Sequence, residues 1–250
     1  MGLKETQKWL NRVDIIHHSL SDLETMKQLD LGQSEVRDED LRYLEHLMNL
    51  EELDLTETKI SDKGLFYLKA LKQLRVLILF GTKITDKGLF HIKTLNNLVS
   101  LTLSYTQITD GGMISLGELK GLKHLDISRT AISNKGLSHL APLKSLEELN
   151  LRGTLLTDQG LRTLKSFKDL KILILDETNI TDDGLIYLKG LKHLRTLVLS
   201  NTFISDQGLK HLKGLKNLKF LDVRSTIITQ VGVQKLKSSL KRLKVDIRIR

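Results

Sequence analysis

Apolar residues recur along this chain on a fixed period of 24. The segment from Leu53 to Val76, LDLTETKISDKGLFYLKALKQLRV, repeats without a gap. Its first leucine returns at Leu29, Leu77, Leu101, Leu125, Leu149, Leu173, Leu197 and Leu221. Its third position holds Leu31, Leu55, Leu79, Leu103, Ile127, Leu151, Leu175, Leu199 and Val223. Such a period predicts a solenoid, in which each unit buries its apolar face only against its neighbours. The alternation in LxL suits a short strand, and the GLxxLxxLxxL stretch predicts a helical turn or two facing the core.

Polar positions between these elements also keep the period. Ser34 and Thr58, Thr82, Thr106, Thr130, Thr154, Thr178, Thr202 and Thr226 form a column at a buried turn. A buried hydroxyl left unpaired costs about 1–3 kcal/mol, so each should donate to a neighbouring carbonyl, and the column should act as a ladder. Next comes Ser/Thr followed by Asp or Asn, a helix-capping signal that assigns the N-caps to Asp62, Asp86, Asp110, Asn134, Asp158, Asp182 and Asp206. Glycine follows two residues later in eight of nine units, Asp40 being the exception, which suggests close backbone approach between coils. Calcium binding by the aspartate column is disfavoured, since each Asp has its own helix start and calcium needs clustered oxygens.

The ends depart from the pattern. Residues 1–28 read as a degenerate N-terminal repeat and cap, with Trp9, Leu10, Val13, Ile15 and Ile16 on an amphipathic segment and His17–His18 on its surface. Residues 29–228 are the repeats. Residues 229–250 read as a degenerate repeat ending in an edge strand, where Arg248 and Arg250 would discourage edge-to-edge pairing.

With the pattern LxxLxLxxTxI(S/T)DxGLxxLxxL written out, the chain resembles leucine-rich repeat proteins of the TDxGL type. In this it looks like bacterial leucine-rich repeat proteins and the repeat region of F-box ubiquitin-ligase adaptors. The resemblance covers residues 29 to about 240. It implies an α/β solenoid: a right-handed curved horseshoe with a parallel concave sheet and short helices on the convex side. It also implies protein recognition without catalysis. Thr stands where Asn or Cys often sits in the family, and no F-box is recognisable.

In such an arc the residues flanking the strand leucines face the concave side. Two apolar groups stand out: Val76, Ile78 and Phe80 with Tyr105 beside them, and Ile172, Ile174 and Val198 with Phe220 beyond. With strands about 4.8 Å apart, each group is contiguous and the two lie roughly 20 Å apart. Four columns carry nine acids (Asp30, Glu52, Asp54, Glu57, Asp126, Glu148, Asp176, Glu177, Asp222) and three bases (Arg129, Arg152, Arg224), with His124 among them. This face is therefore net −6 in a chain of net +9. The partner-binding set is Glu52, Asp54, Val76, Ile78, Phe80, Tyr105, His124, Arg129, Arg152, Ile172, Ile174, Asp176, Glu177, Val198, Phe220 and Arg224. It would suit a protein or peptide with a basic and apolar surface.

The lysines gather on the helical side, where they favour the helix C-termini and keep that face soluble. A nucleic-acid reader would want aromatics interleaved with its bases, and here they are sparse. A polyanion-binding convex side is the alternative function, as is substrate recognition in a ubiquitin-ligase-like adaptor. No phosphate loop, dinucleotide glycine pattern, HExxH or cysteine nucleophile is present, which argues against an enzyme and against a small-molecule cofactor. His91, His139 and His211 share a convex column but sit two and three coils apart, too far to hold one zinc. No apolar run spans a bilayer, no signal peptide is apparent, and cysteine is absent, so a cytoplasmic location is expected.

Overall fold

In the computed structural model, which describes residues 2–13 and 19–247, every LxL segment lies on or beside a three-residue strand. The strands are β1 (Gln28–Asp30), β2 (Glu52–Asp54), β3 (Val76–Ile78), β4 (Ser100–Thr102) and β5 (His124–Asp126). They continue as β6 (Glu148–Asn150), β7 (Ile172–Ile174), β8 (Thr196–Val198), β9 (Phe220–Asp222) and β10 (Lys244–Asp246). All ten form one parallel sheet in chain order. Between repeats the register pairs residues 24 apart, as Leu53 with Leu77. Because side chains alternate along a strand, the central leucine of each repeat enters the core while its two neighbours face outward.

Helical segments cover the other side of that core. They are α1 (Leu3–Val13), α2 (Leu20–Thr25), α3 (Asp62–Leu68), α4 (Asp86–Ile92), α5 (Gly112–Leu116), α6 (Asn134–His139) and α7 (Gln230–Lys237). Tighter 3₁₀ segments take the equivalent place at Asp38–His46, Gly160–Ser166, Gly184–Gly190 and Gly208–Leu212. In one coil Leu53, Leu55, Ile60, Leu65, Leu68, Leu71 and Leu74 are all at most 1% exposed. A lone coil would leave much of this surface in water, so the stacking of coils drives folding. At the N-terminus α1 closes the first coil: Trp9 is buried and stacks on Tyr43 at 5.3 Å. The expectations for Ile15, Ile16, His17, His18, Arg248 and Arg250 fall outside the described residues.

The polar columns differ from expectation. Each Thr hydroxyl is paired, but within its own coil: Thr58 donates to the Leu55 carbonyl at 2.8 Å, and Thr154 to that of Leu151 at 2.7 Å. The column is therefore no ladder between coils. The aspartates form that ladder, and they are not the N-caps of their own helices. Asp62 is the first residue of α3, after the N-cap Ser61, and its carboxylate turns to the next coil. There it accepts from the Thr85 backbone N–H at 2.8 Å and the Thr85 hydroxyl at 2.6 Å. Asp38, Asp86, Asp110, Asp158, Asp182 and Asp206 repeat the arrangement with Ser61, Thr109, Ser133, Thr181, Ser205 and Thr229. Asn134 keeps the rung with one bond reversed: its Oδ1 accepts from the Thr157 N–H at 3.0 Å while its Nδ2 donates to the Thr157 hydroxyl at 2.8 Å. Each rung satisfies an amide at the start of the following helical segment, where no intrahelical partner exists.

The glycine column follows from these rungs. A Cβ on Gly184 would lie 2.3 Å from Asp158 Oδ1, and one on Gly136 equally close to Asp110 Oδ1. The sequence predicts close approach of backbone to backbone; the atom nearest the glycine is instead the carboxylate oxygen of the preceding coil.

Candidate interaction face

Four columns of side chains meet on the open face of the sheet. Strand pairing sets Glu52 beside Val76, Asp54 beside Ile78, Ile172 beside Thr196 and Ile174 beside Val198. The column that follows the strands is held in the left-handed backbone region throughout. Gln33, Glu57, Tyr105, Arg129, Glu177, Asn201 and Ser225 have φ between 53° and 58°, and Gly81 and Gly153 have 67° and 62°. Side chains without a branch at Cβ, and glycine above all, suit that region, so this column varies less freely than its sequence suggests.

The aspartates between the strand leucines also have a local task. Asp30, Asp54, Asp126 and Asp222 each accept the backbone N–H two residues on, at Gly32, Thr56, Ser128 and Arg224. Asn150 does the same for Arg152. These bonds close the turn at each strand end. Asp54, expected to serve a partner, therefore gives one oxygen to its own turn.

The acids divide into two groups. Arg129 pairs with Glu177, two coils away, and crosses over Gly153, where a Cβ would lie 2.9 Å from Arg129 Cδ. Arg152 bonds Asp176 at 3.1 Å and Glu177 at 2.5 Å, while Arg224 reaches Asp222 at 2.5 Å and Asp246 at 3.3 Å. Asp176 is buried, 5% exposed, contrary to the open position expected of it. Burial pushes its carboxyl up by more than the Arg152 charge lowers it. Glu177 behaves oppositely: burial raises it, but bonds and charge from Arg152 and then Arg129 hold it below the ordinary range. The three arginines and their acids are thus a self-paired network. By contrast, Asp30, Glu52, Asp54 and Glu57 at β1–β2 have no cationic partner among the described residues.

The apolar groups are less open than the sequence register implies. Val76, Ile78, Phe80, Ile172, Ile174 and Val198 are half-buried by their neighbours along the sheet. Tyr105 stands 55% exposed and Phe220 36%. Phe80 and Tyr105 lie with ring centroids 5.3 Å apart, forming one platform over β3–β4. Beyond it a groove of about 290 Å³ is lined by Ser100, Thr102, His124, Asp126, Glu148 and Asn150. His124 Nδ1 and Glu148 Oε2 are 3.2 Å apart there, and Asn150 donates to Asp126 at 3.0 Å. Of these six residues only His124 belongs to the partner-binding set expected from the sequence. The face therefore runs from free acids, through an aromatic platform and a polar groove, to half-buried aliphatic residues beside the arginine network.

Comparison with known proteins agrees with this architecture. Two leucine-rich repeat family models match, one over residues 96–156 and one over residues 46–69. No curated protein sequence matches. Among solved structures, an internalin C2 of Listeria monocytogenes is similar, with a TM-score of 0.59 and 23% identity over 98% of this chain and 92% of that one. A second Listeria monocytogenes internalin gives a TM-score of 0.50 and 19% identity over 99% and 94%. The matched segments are leucine-rich repeats, and the chain has the solenoid fold of these structures. Among the described residues no helix is long and apolar enough to cross a membrane.

Proposed function

We propose that this protein is a non-enzymatic scaffold that binds a protein or peptide on the open face of its sheet. The partner segment carries a basic residue over β1–β2 and an apolar or aromatic residue over β3–β4. One observation carries the reading: the Phe80–Tyr105 platform stands beside Glu52, Asp54 and Glu57, which no base among the described residues neutralises. Aromatic platforms supply binding energy at such interfaces, while uncompensated charge selects and steers the partner. The arginine network at the other end supports the same polarity, since its charges are already satisfied within the chain.

A peptide library selected on the immobilised protein tests this. Binders should be enriched in Lys or Arg beside an aromatic or branched aliphatic residue. They should lose affinity for Glu52→Lys/Glu57→Lys and, separately, for Phe80→Ser/Tyr105→Ser. Enriched peptides lacking basic residues, or equal binding to both variants, would refute the proposal.

A further inference from the structure

The helical side holds a second surface, distinct from the sheet face. Phe66 on α3, Phe90 on α4 and Ile114 on α5 occupy one column on three successive coils, and they are 43%, 58% and 60% exposed. The first two are joined through His91, whose ring centroid lies 5.7 Å from that of Phe66 and 6.1 Å from that of Phe90. Contiguous exposed apolar surface of this kind marks an interaction site on a soluble domain.

Charge specifies what covers it. From residue 62 to 120 the chain has eight basic residues and four carboxylates. Asp62, Asp86 and Asp110 are committed to the rungs with Thr85, Thr109 and Ser133, which leaves Glu118, just after α5, as the one carboxylate of this stretch outside them. Lys69 and Lys93 carry their ammonium groups over the rings of Phe66 and Phe90, 3.5 and 4.0 Å from the centroids. The surface is thus apolar at its centre and cationic around it, complementary to something apolar below an anionic layer.

We propose that this face docks on the surface of an anionic lipid bilayer, with Phe66, Phe90 and Ile114 entering the interfacial region and the lysines meeting lipid phosphates. Long lysine stems along apolar surface, with their charge at its margin, suit that boundary. Stacked single-stranded nucleic acid fits less well, because a lysine already covers one face of each phenyl ring and Ile114 offers no face on which a base could stack.

Vesicle flotation of the full chain provides the test. The protein should float with vesicles of phosphatidylcholine and phosphatidylserine, and not with phosphatidylcholine alone. A lysine near such a surface contributes about fivefold in affinity, so Lys87→Glu/Lys93→Glu should weaken binding at least about tenfold. Phe90→Ser/Ile114→Ser should weaken it comparably at fixed charge, and both pairs lie outside the core. Failure of the wild type to float with anionic vesicles at low salt overturns the proposal, as does flotation unchanged by the Phe90→Ser/Ile114→Ser pair. Retention on single-stranded RNA that depends on Phe90, without vesicle binding, would assign the face to nucleic acid and also overturn it.

Discussion

Replacing Asp158 by Ala should remove a full rung from the middle of the solenoid. Its carboxylate accepts from the Thr181 N–H at 2.9 Å and the Thr181 hydroxyl at 2.7 Å. A hydrogen bond to a charged group contributes about 1.5–3 kcal/mol, and partial solvent access at this edge discounts the pair to about 2–3 kcal/mol in total. Asp158→Asn should cost less than about 1 kcal/mol, because Asn134 already holds the same rung with two bonds to Thr157. Gly184→Ala tests the geometry from the other side, with its Cβ 2.3 Å from Asp158 Oδ1 and 3.0 Å from Leu161 Cδ1. That overpacking should cost about 1–3 kcal/mol alone and less in the Asp158→Ala background, where the oxygen is gone. The assay is equilibrium urea unfolding of the four proteins of the cycle, and a coupling of about 1 kcal/mol or more is expected. Additive costs, or an Asn variant as unstable as the Ala variant, would refute the ladder. Because coils interact only with neighbours, a shallower transition in the Ala variant would further indicate that the two halves unfold separately.

Other expectations concern individual charges and the left-handed column. Bonds from Lys171 and then Lys123 hold the Glu147 carboxyl down to about 2. Its contribution to stability is therefore present above pH 4.5 and lost as pH falls toward 2. Carboxyl NMR titration should find that midpoint, and Lys171→Met should move it upward. Asp176 has the opposite sign: with a folded pKa above its ordinary 3.8, its favourable contribution is complete below that pH and is lost as pH rises through the raised value. Asp176→Asn should consequently gain in thermal midpoint over the wild type between acid pH and pH 7; a loss over that range would show that the buried charge is favourable. At Ser225, with φ of 55°, Gly should stabilise by about 0.5–1 kcal/mol and Val should destabilise, measured by the same urea unfolding.

The sheet was legible because one period fixes both the strand leucines and the register, and parallel pairing at 24 residues follows directly. The ladder was misassigned because an Asp after Ser/Thr serves equally well as a cap for its own helix or as an acceptor for the next coil. Composition cannot separate those geometries. The left-handed column did leave a trace: none of its nine members is β-branched, and two are glycine. That exclusion marks Tyr105 and Glu177 as residues of a constrained turn. The net charge of the sheet face was countable, but its pairing was not. The Arg129–Glu177 contact spans two coils and depends on Gly153 lying between them. Asp176 follows β7 rather than standing within it, so strand alternation does not determine its burial.

That division of charge bears on how a partner would bind. Salt screens interactions over about 8 Å at physiological ionic strength, and adjacent strands lie about 4.8 Å apart. Asp30, Glu52, Asp54 and Glu57 on and beside β1–β2 therefore act as one field. Arg129, three strands beyond β2, lies outside their range and is already paired. An approaching cation should be drawn to the N-terminal end, while the Phe80–Tyr105 platform holds the bound segment. Steering acts on association and desolvated contacts on dissociation. For a peptide selected on this face, raising salt or introducing Glu52→Lys/Glu57→Lys should slow association with little change in dissociation. Phe80→Ser should do the reverse. Measured by surface plasmon resonance, a salt effect confined to the dissociation rate would show that the free acids make close contacts with the partner instead of guiding it in.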